Sequence, residues 1–279
     1  MLTVIDLFSG ICGFTLGLEK TEGFKTVQFC EINQALHSHI EGHYPNVPLH
    51  ADIRSLHLPR GFADVVVGGF PCQDISNAGL GRGLDGPKSS LWWEMFRVIR
   101  DVRPSWIIIE NSPVLRSRGL CQILRALDEI GYDAEWHCIP ACAVGAHHER
   151  DRLFIIAHPD RDGRERENVS RWAAWRHLSP GDDTPLTHAL RNRLAHWISP
   201  GLGAGGNSTG KTLQTVAGHH RPWWPTQPDV VSMVHGVPRR LAGWRKQAVM
   251  ALGNSVVPQV VRLIGEAILE ISVLEGRLS

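Results

Sequence analysis

Leu2-Thr3-Val4-Ile5-Asp6-Leu7-Phe8-Ser9-Gly10-Ile11-Cys12-Gly13 opens the chain as a short apolar run that ends in a Ser-Gly turn, and a helical pattern follows from Phe14 to Lys20. Strand, glycine turn and helix in that order form the first unit of a parallel α/β sheet, whose strands are covered on both faces and so read as nearly continuous apolar runs. Glycine in the turn lets backbone amides come close to a ligand, and ligands of such sheets lie off the carboxyl ends of the strands.

The pattern returns further along. Apolar runs appear at Thr26–Cys30 before Glu31, at Ala63–Gly68, at Ser105–Ile109 before Glu110, and at Leu153–Ala157, with helical segments at Leu91–Asp101 and Leu120–Ile130. This predicts an α/β fold with a doubly wound, mostly parallel, Rossmann-like sheet. From Asp160 onward Arg, Trp, Gly and Pro become frequent, as in Gly201-Leu202-Gly203-Ala204-Gly205-Gly206, and a helical pattern resumes from Val256 to Leu274. The expected organisation is a sheet domain at 1–158, a small lobe at 159–240, and a segment at 241–279 that completes the sheet domain.

Composition narrows the classes. At 279 residues with 43% hydrophobic and 20% charged residues, the chain has enough apolar material for a core, which excludes global disorder. Lys plus Arg at 29 against Asp plus Glu at 28 leaves a net charge of +1, so any nucleic-acid contact must come from local clusters. Two exist, Arg161-Arg164-Arg166-Arg171-Arg176 and Arg239-Arg240-Arg245-Lys246, each equally readable as a solvated face. The six cysteines show no regular framework, and there is no leader-like segment or long apolar run. A reduced cytoplasmic protein with no membrane contact is expected.

Three groups carry chemistry. Glu31 ends the second strand where a ribose hydroxyl would lie and Asp52-Ile53 follows at the third, which together describe an adenosine pocket; a dehydrogenase or a purely structural turn fits these residues as well. Gly68-Gly69-Phe70-Pro71-Cys72-Gln73 then puts a cysteine on a loop at the same edge. A lone cysteine is usually a small core residue, but Gly and Pro interrupt core packing here and Gln73, Asp74 and Ser76 are polar, which favours a nucleophile. Glu110-Asn111 brings a carboxyl group to that edge from a neighbouring strand, where it can donate or accept a proton.

With these residues in order, the chain resembles the bacterial or phage-type DNA cytosine-5 methyltransferases. Asp6-Leu7-Phe8-Ser9-Gly10 with Gly13 and Gly17 resembles their cofactor motif, Pro71-Cys72-Gln73 the nucleophile loop, and Glu110-Asn111 the cytosine-contacting motif. His148-Glu149-Arg150-Asp151-Arg152 resembles the segment with two site arginines, and Gly253-Asn254-Ser255-Val256-Val257-Pro258 the closing motif that returns to the cofactor. Cys12 in place of the usual glycine, His148 in place of glutamine and Ser112-Pro113 in place of a valine are departures that remove no reacting group.

The resemblance implies S-adenosyl-L-methionine as cofactor and a specific double-stranded DNA sequence as substrate, methylated at carbon 5 of a flipped-out cytosine through a covalent Cys72 adduct. Cys72, Glu110, Arg150 and Arg152 would be catalytic. Phe8, Ser9, Gly10, Gly13, Glu31, Ile32, Asp52, Ile53, Pro71, Leu91, Asn254 and Ser255 would hold the cofactor, and Gln73, Ser76, Asn111, Lys211, Thr212, Arg239 and Arg240 would touch DNA. It further implies a bacterial cell or phage-infected host, a monomer, and a cognate restriction endonuclease as the partner to look for. An RNA cytosine-5 methyltransferase and a catalytically silent DNA-binding regulator are the rivals.

Other signals weigh less. Gly205 to Thr212 has phosphate-loop spacing but lacks the strand before it and the helix after it. Cys138 and Cys142 with His147 and His148 lack the spacing of a zinc site, so no metal is expected. Trp172, Trp175, Trp197, Trp223, Trp224 and Trp244 fit a lobe core better than base stacking.

Overall fold

The computed structural model describes residues 1–71, 91–146, 148–159 and 254–274. Seven strands form one sheet: β1 (Leu2–Leu7), β2 (Phe24–Cys30), β3 (Leu49–His50), β4 (Val65–Gly68), β5 (Trp106–Asn111), β6 (Tyr132–Ile139) and β7 (Arg152–Pro159). Their spatial order is β3-β2-β1-β4-β5-β7-β6. The first five are parallel, and β7 runs antiparallel to both β5 and β6. Strand order reverses between β1 and β4, which is where a doubly wound sheet opens a crevice at its carboxyl edge.

Six helices accompany the strands among the described residues: α1 (Gly13–Glu19), α2 (Gln34–His43), α3 (Leu91–Val102), α4 (Leu115–Arg118), α5 (Leu120–Glu129) and α6 (Pro258–Leu274). None is long and apolar enough to cross a membrane.

Alternation along each strand sorts the core into two layers. Val4, Val65, Val67, Trp106, Ile108, Phe154 and Ile156 face α1 and α6, while Ile5, Leu7, Val66, Ile107, Ile109 and Ile155 face α3 and α5. On α3, Trp92, Met95, Val98, Ile99 and Val102 recur at helical spacing and are all buried, each contributing about 1.5–3 kcal/mol of burial free energy. α6 fits closely against α1 because α1 is notched: a Cβ on Gly13 would lie 2.8 Å from Val256 Cγ1, and one on Gly17 would lie 2.6 Å from Val261 Cβ and overlap the Pro258 carbonyl.

The predicted strands and helices appear within two residues of their expected ends, with one shift that matters. β5 continues through Asn111, so Glu110 lies inside the ladder, paired with Phe154, and not beyond the strand. β6 carries no apolar run in Tyr-Asp-Ala-Glu-Trp-His-Cys-Ile and escapes a search for buried strands, because as an edge strand it is only partly covered.

Candidate active site

β1, β2 and β3 end side by side and deliver Phe8, Glu31 and Asp52 to one edge. The turn after β1 winds tightly, with Phe8 (φ 56°), Gly10 (φ 56°) and Cys12 (φ 63°) all left-handed. Only glycine takes that conformation without cost. Among the described residues a Cβ at Gly10 would meet only the Phe8 carbonyl oxygen, at 3.8 Å, so none of them crowds the Gly10 backbone. Its amide donates to Glu31 Oε2 at 2.8 Å, and the Asn33 amide donates to Glu31 Oε1 at 2.8 Å. Two amides therefore orient a carboxylate that is 8% exposed, leaving its remaining lone pairs for hydroxyl donors.

Other residues around this cradle divide by what their side chains do. Ile32 stands out beside Glu31, 60% exposed. Phe8 and Leu91 are half-buried against the same core layer. Ser9 is buried and its hydroxyl donates to the Asp6 carbonyl at 2.6 Å, so its side chain stitches the turn. Ile53 is likewise a core side chain, leaving only its backbone for the edge. Asp52 accepts from the Arg54 amide at 3.0 Å and pairs with the Arg54 guanidinium at 2.8 Å, which holds its carboxyl below the usual range. Ser255 sits against Gly13, where a Cβ would come within 2.7 Å of the Ser255 Oγ; Asn254 beside it is exposed.

On the other side of the strand reversal, Glu110 meets Arg152, with Nε 2.9 Å from Oε1. The antiparallel pairing of β5 and β7 makes this meeting, since Arg152 opens β7 just beyond the Asn111–Leu153 pair. Burial pushes the Glu110 carboxyl up to about 7, against the lowering pull of Arg152 and Arg150. Gly69 gives the carboxyl its room: a Cβ there would lie 2.7 Å from Glu110 Oε2. An acid half-protonated at neutral pH, backed by a guanidinium, can give or take a proton and steady negative charge beside it.

Two expected site residues also make bonds within the protein. Asn111, expected at DNA, is 2% exposed; its Nδ2 donates to the Phe70 carbonyl at 3.0 Å and its Oδ1 accepts from the Ser112 amide at 2.8 Å. Arg150 donates through Nη2 to the Ser255 carbonyl at 2.8 Å, joining the arginine segment to the closing motif. Pro71 is the last described residue before 91, and Cys72, Gln73, Ser76, Lys211, Thr212, Arg239 and Arg240 lie outside the described residues, as do His147 and all of the lobe expected at 159–240 except Pro159, which ends β7.

Two charged residues have structural roles that the motifs alone did not assign. Asp6 is fully buried in β1, where Oδ2 accepts from Thr15 Oγ1 at 2.7 Å; its presence inside an apolar strand was the available signal. Arg97 reaches the turn after β3, and Glu94 and Asp101 at helical spacing around it were the only hint.

Comparison with known proteins gives a consistent answer. The family described as C-5 cytosine-specific DNA methylase matches residues 2–181. The chain is 34% identical over 165 residues to the Type II methyltransferase M2.BsuMI of Bacillus subtilis (strain 168), covering 56% of this chain and 42% of that protein. To M1.ScrFI of Lactococcus lactis subsp. cremoris it is 31% identical over 184 residues (63% and 45%), and to M.HgiCII of Herpetosiphon aurantiacus 37% over 161 residues (54% and 36%). The chain thus spans less than half the length of each of these relatives.

Proposed function

Because the chain belongs to the C-5 cytosine-specific DNA methylase family, we propose that it methylates carbon 5 of cytosine in double-stranded DNA, with S-adenosylmethionine as methyl donor and Cys72 as nucleophile. The observation that carries this reading is the buried Glu110–Arg152 pair, standing across the strand reversal from the Gly10–Glu31 cradle.

The cradle fits the cofactor's nucleoside end: an open glycine, a carboxylate pre-oriented for ribose hydroxyls, and the exposed apolar Ile32 beside it for the base. When bound, S-adenosylmethionine supplies an electrophilic methyl group. The Cys72 thiolate adds to cytosine carbon 6, forming the S–C6 bond and pushing an electron pair toward carbon 5. Glu110, protonated, gives its proton to N3 as that charge develops, and Arg152 steadies the ring carbonyl. Carbon 5, made nucleophilic in this way, would take the methyl group as the methyl's bond to sulfur breaks, leaving the donor as the neutral thioether S-adenosylhomocysteine. Loss of the carbon 5 proton to a base such as water expels the thiolate, and N3 returns its proton to Glu110. The base must leave the duplex for this, at a cost of a few kcal/mol.

The test is base-resolution mapping of 5-methylcytosine in DNA from a methylation-free host expressing the intact chain or Cys72→Ser. Marks with the intact chain alone support the reaction and reveal the target sequence. Marks with both would sink the role of Cys72. No marks in DNA, with methylated cytosine in RNA, would move the substrate to RNA.

A further inference from the structure

The segment Asp52–Leu56 hangs from the edge of the sheet. β3, which leads into it, is two residues long and pairs with β2 alone. The turn's own backbone bonds, Ser55 amide to Asp52 carbonyl and Leu56 amide to Ile53 carbonyl, shape it but do not fix where it sits. Buried Ile53 and Leu56 hold it by packing, which is non-directional.

Locally, His50 Nε2 lies 2.9 Å from Ser55 Oγ; among the described residues, directional support from outside the segment comes from a side chain far away in sequence. Arg97 on α3 donates through Nη2 to the Ile53 carbonyl at 2.7 Å and through Nη1 to the Leu56 carbonyl at 3.0 Å. Nη1 also lies 3.5 Å from His57 Nδ1. Glu94 takes Nε at 2.9 Å and Asp101 stands 3.7 Å from Nη1, so carboxylates on both sides aim the guanidinium. The helix beneath is a rigid platform, anchored by five buried side chains. A planar fork that grips two carbonyls at once sets position and angle together, which a single ammonium cannot do.

We propose that Arg97 is a positioning residue for the adenine end of the cofactor site: it holds the Asp52–Ile53 edge at the distance the purine requires, without touching the cofactor. The proposal rests on the reading that this site binds S-adenosylmethionine. It assigns α3 a role in cofactor affinity that its sequence does not advertise.

The test compares wild type with Arg97→Ala, Arg97→Gln and Arg97→Lys. Binding of S-adenosylhomocysteine and of adenosine is measured by competition, together with melting temperature, kcat, and KM for S-adenosylmethionine and for DNA. For Arg97→Ala the dissociation constants of both nucleosides and the KM for S-adenosylmethionine should rise about tenfold, less than the full worth of one hydrogen bond to a charged group because Arg97 acts through the backbone it holds and not on the ligand. Arg97→Lys should recover part of that loss, and kcat at saturation and KM for DNA should stay within about twofold. Unchanged nucleoside affinity overturns the proposal. So does a penalty on S-adenosylhomocysteine that adenosine escapes, since the defect would then lie at the amino-acid end. Loss of cooperative melting in all three variants makes Arg97 a folding determinant and also overturns it. Failure of the wild type to bind S-adenosylhomocysteine sinks the parent reading itself.

Discussion

Asp6 and Glu110 are two carboxyls buried near the carboxyl ends of parallel strands, each pushed up to about 7 by desolvation, yet they are built for different purposes. Asp6 faces the α1 layer, where Thr15 donates to Oδ2 and Thr15 Oγ1 lies 3.0 Å from Thr26 Oγ1; its Oδ1 has no hydrogen-bond partner among the described residues. Thr15 is the hydrogen-bond donor to Asp6, the carboxylates of Glu31 and Glu19 add to the upward push, and the side chain is fully buried. Glu110 has a cation at 2.9 Å and a glycine beside it that leaves its second oxygen clear. A raised carboxyl alone therefore does not mark a site; the cation and the side-chain-free space at Gly69 do.

The contrast is sharpest in turnover. Glu110→Gln should cut kcat by about 10²–10⁴-fold, the usual range for a lost acid–base group, while methyl transfer by Asp6→Asn stays within about threefold of wild type. Equal losses in both would erase the distinction. The same contrast has a pH signature: protonated Glu110 is the active form, so its contribution to kcat falls as pH rises through about 7, and Glu110→Gln should lack that limb.

Crowding the opening tests it directly. Gly69→Ala would bring a methyl group within 2.7 Å of Glu110 Oε2, and the displaced carboxyl should lower kcat by up to about 10²-fold with little change in melting temperature. A Gly69→Ala enzyme at full speed would mean the carboxyl has slack.

Smaller effects fall on stability. Gly17→Ala should cost about 1–3 kcal/mol by overpacking α6, partly offset by about 1 kcal/mol of helix propensity, as read by denaturant unfolding. Asp6 has its pKa raised on folding from 3.8 to about 7, so its carboxyl binds a proton more tightly when folded. Its stabilisation is complete below the lower value and lost as pH climbs through the higher one. Asp6→Asn should flatten the decline of melting temperature between about pH 4 and 7; an unaltered slope would remove Asp6 as its source.

Much of the parallel half of the sheet was legible because β1, β4 and β5 are apolar runs, and Glu31 and Glu110 stood out as acids where the apolar runs of β2 and β5 stop. What escaped was tertiary. Asn111 reads as a polar site residue until the Phe70 carbonyl is seen to occupy its amide, and Ser9 until its hydroxyl is found bonded to Asp6. Arg97 sits among ordinary helix-surface charges, and nothing in its neighbourhood names a partner 44 residues away. Side chains that bond distant backbone leave no periodic trace, since the partner carbonyl belongs to every residue type alike.

The notch in α1 has a temporal side. α1 is synthesised near the start of the chain and α6 follows about 240 residues later, so at typical ribosome speeds of about 5–20 residues per second the notch waits on the order of ten to fifty seconds for its helix. Until then Phe14 and Leu18 lack the cover they share with Val260, Val261 and Ile264. Between the synthesis of α1 and that of α6 the nascent chain therefore carries an apolar groove without this cover, a natural landing place for a chaperone and a surface prone to aggregate when translation stalls between them.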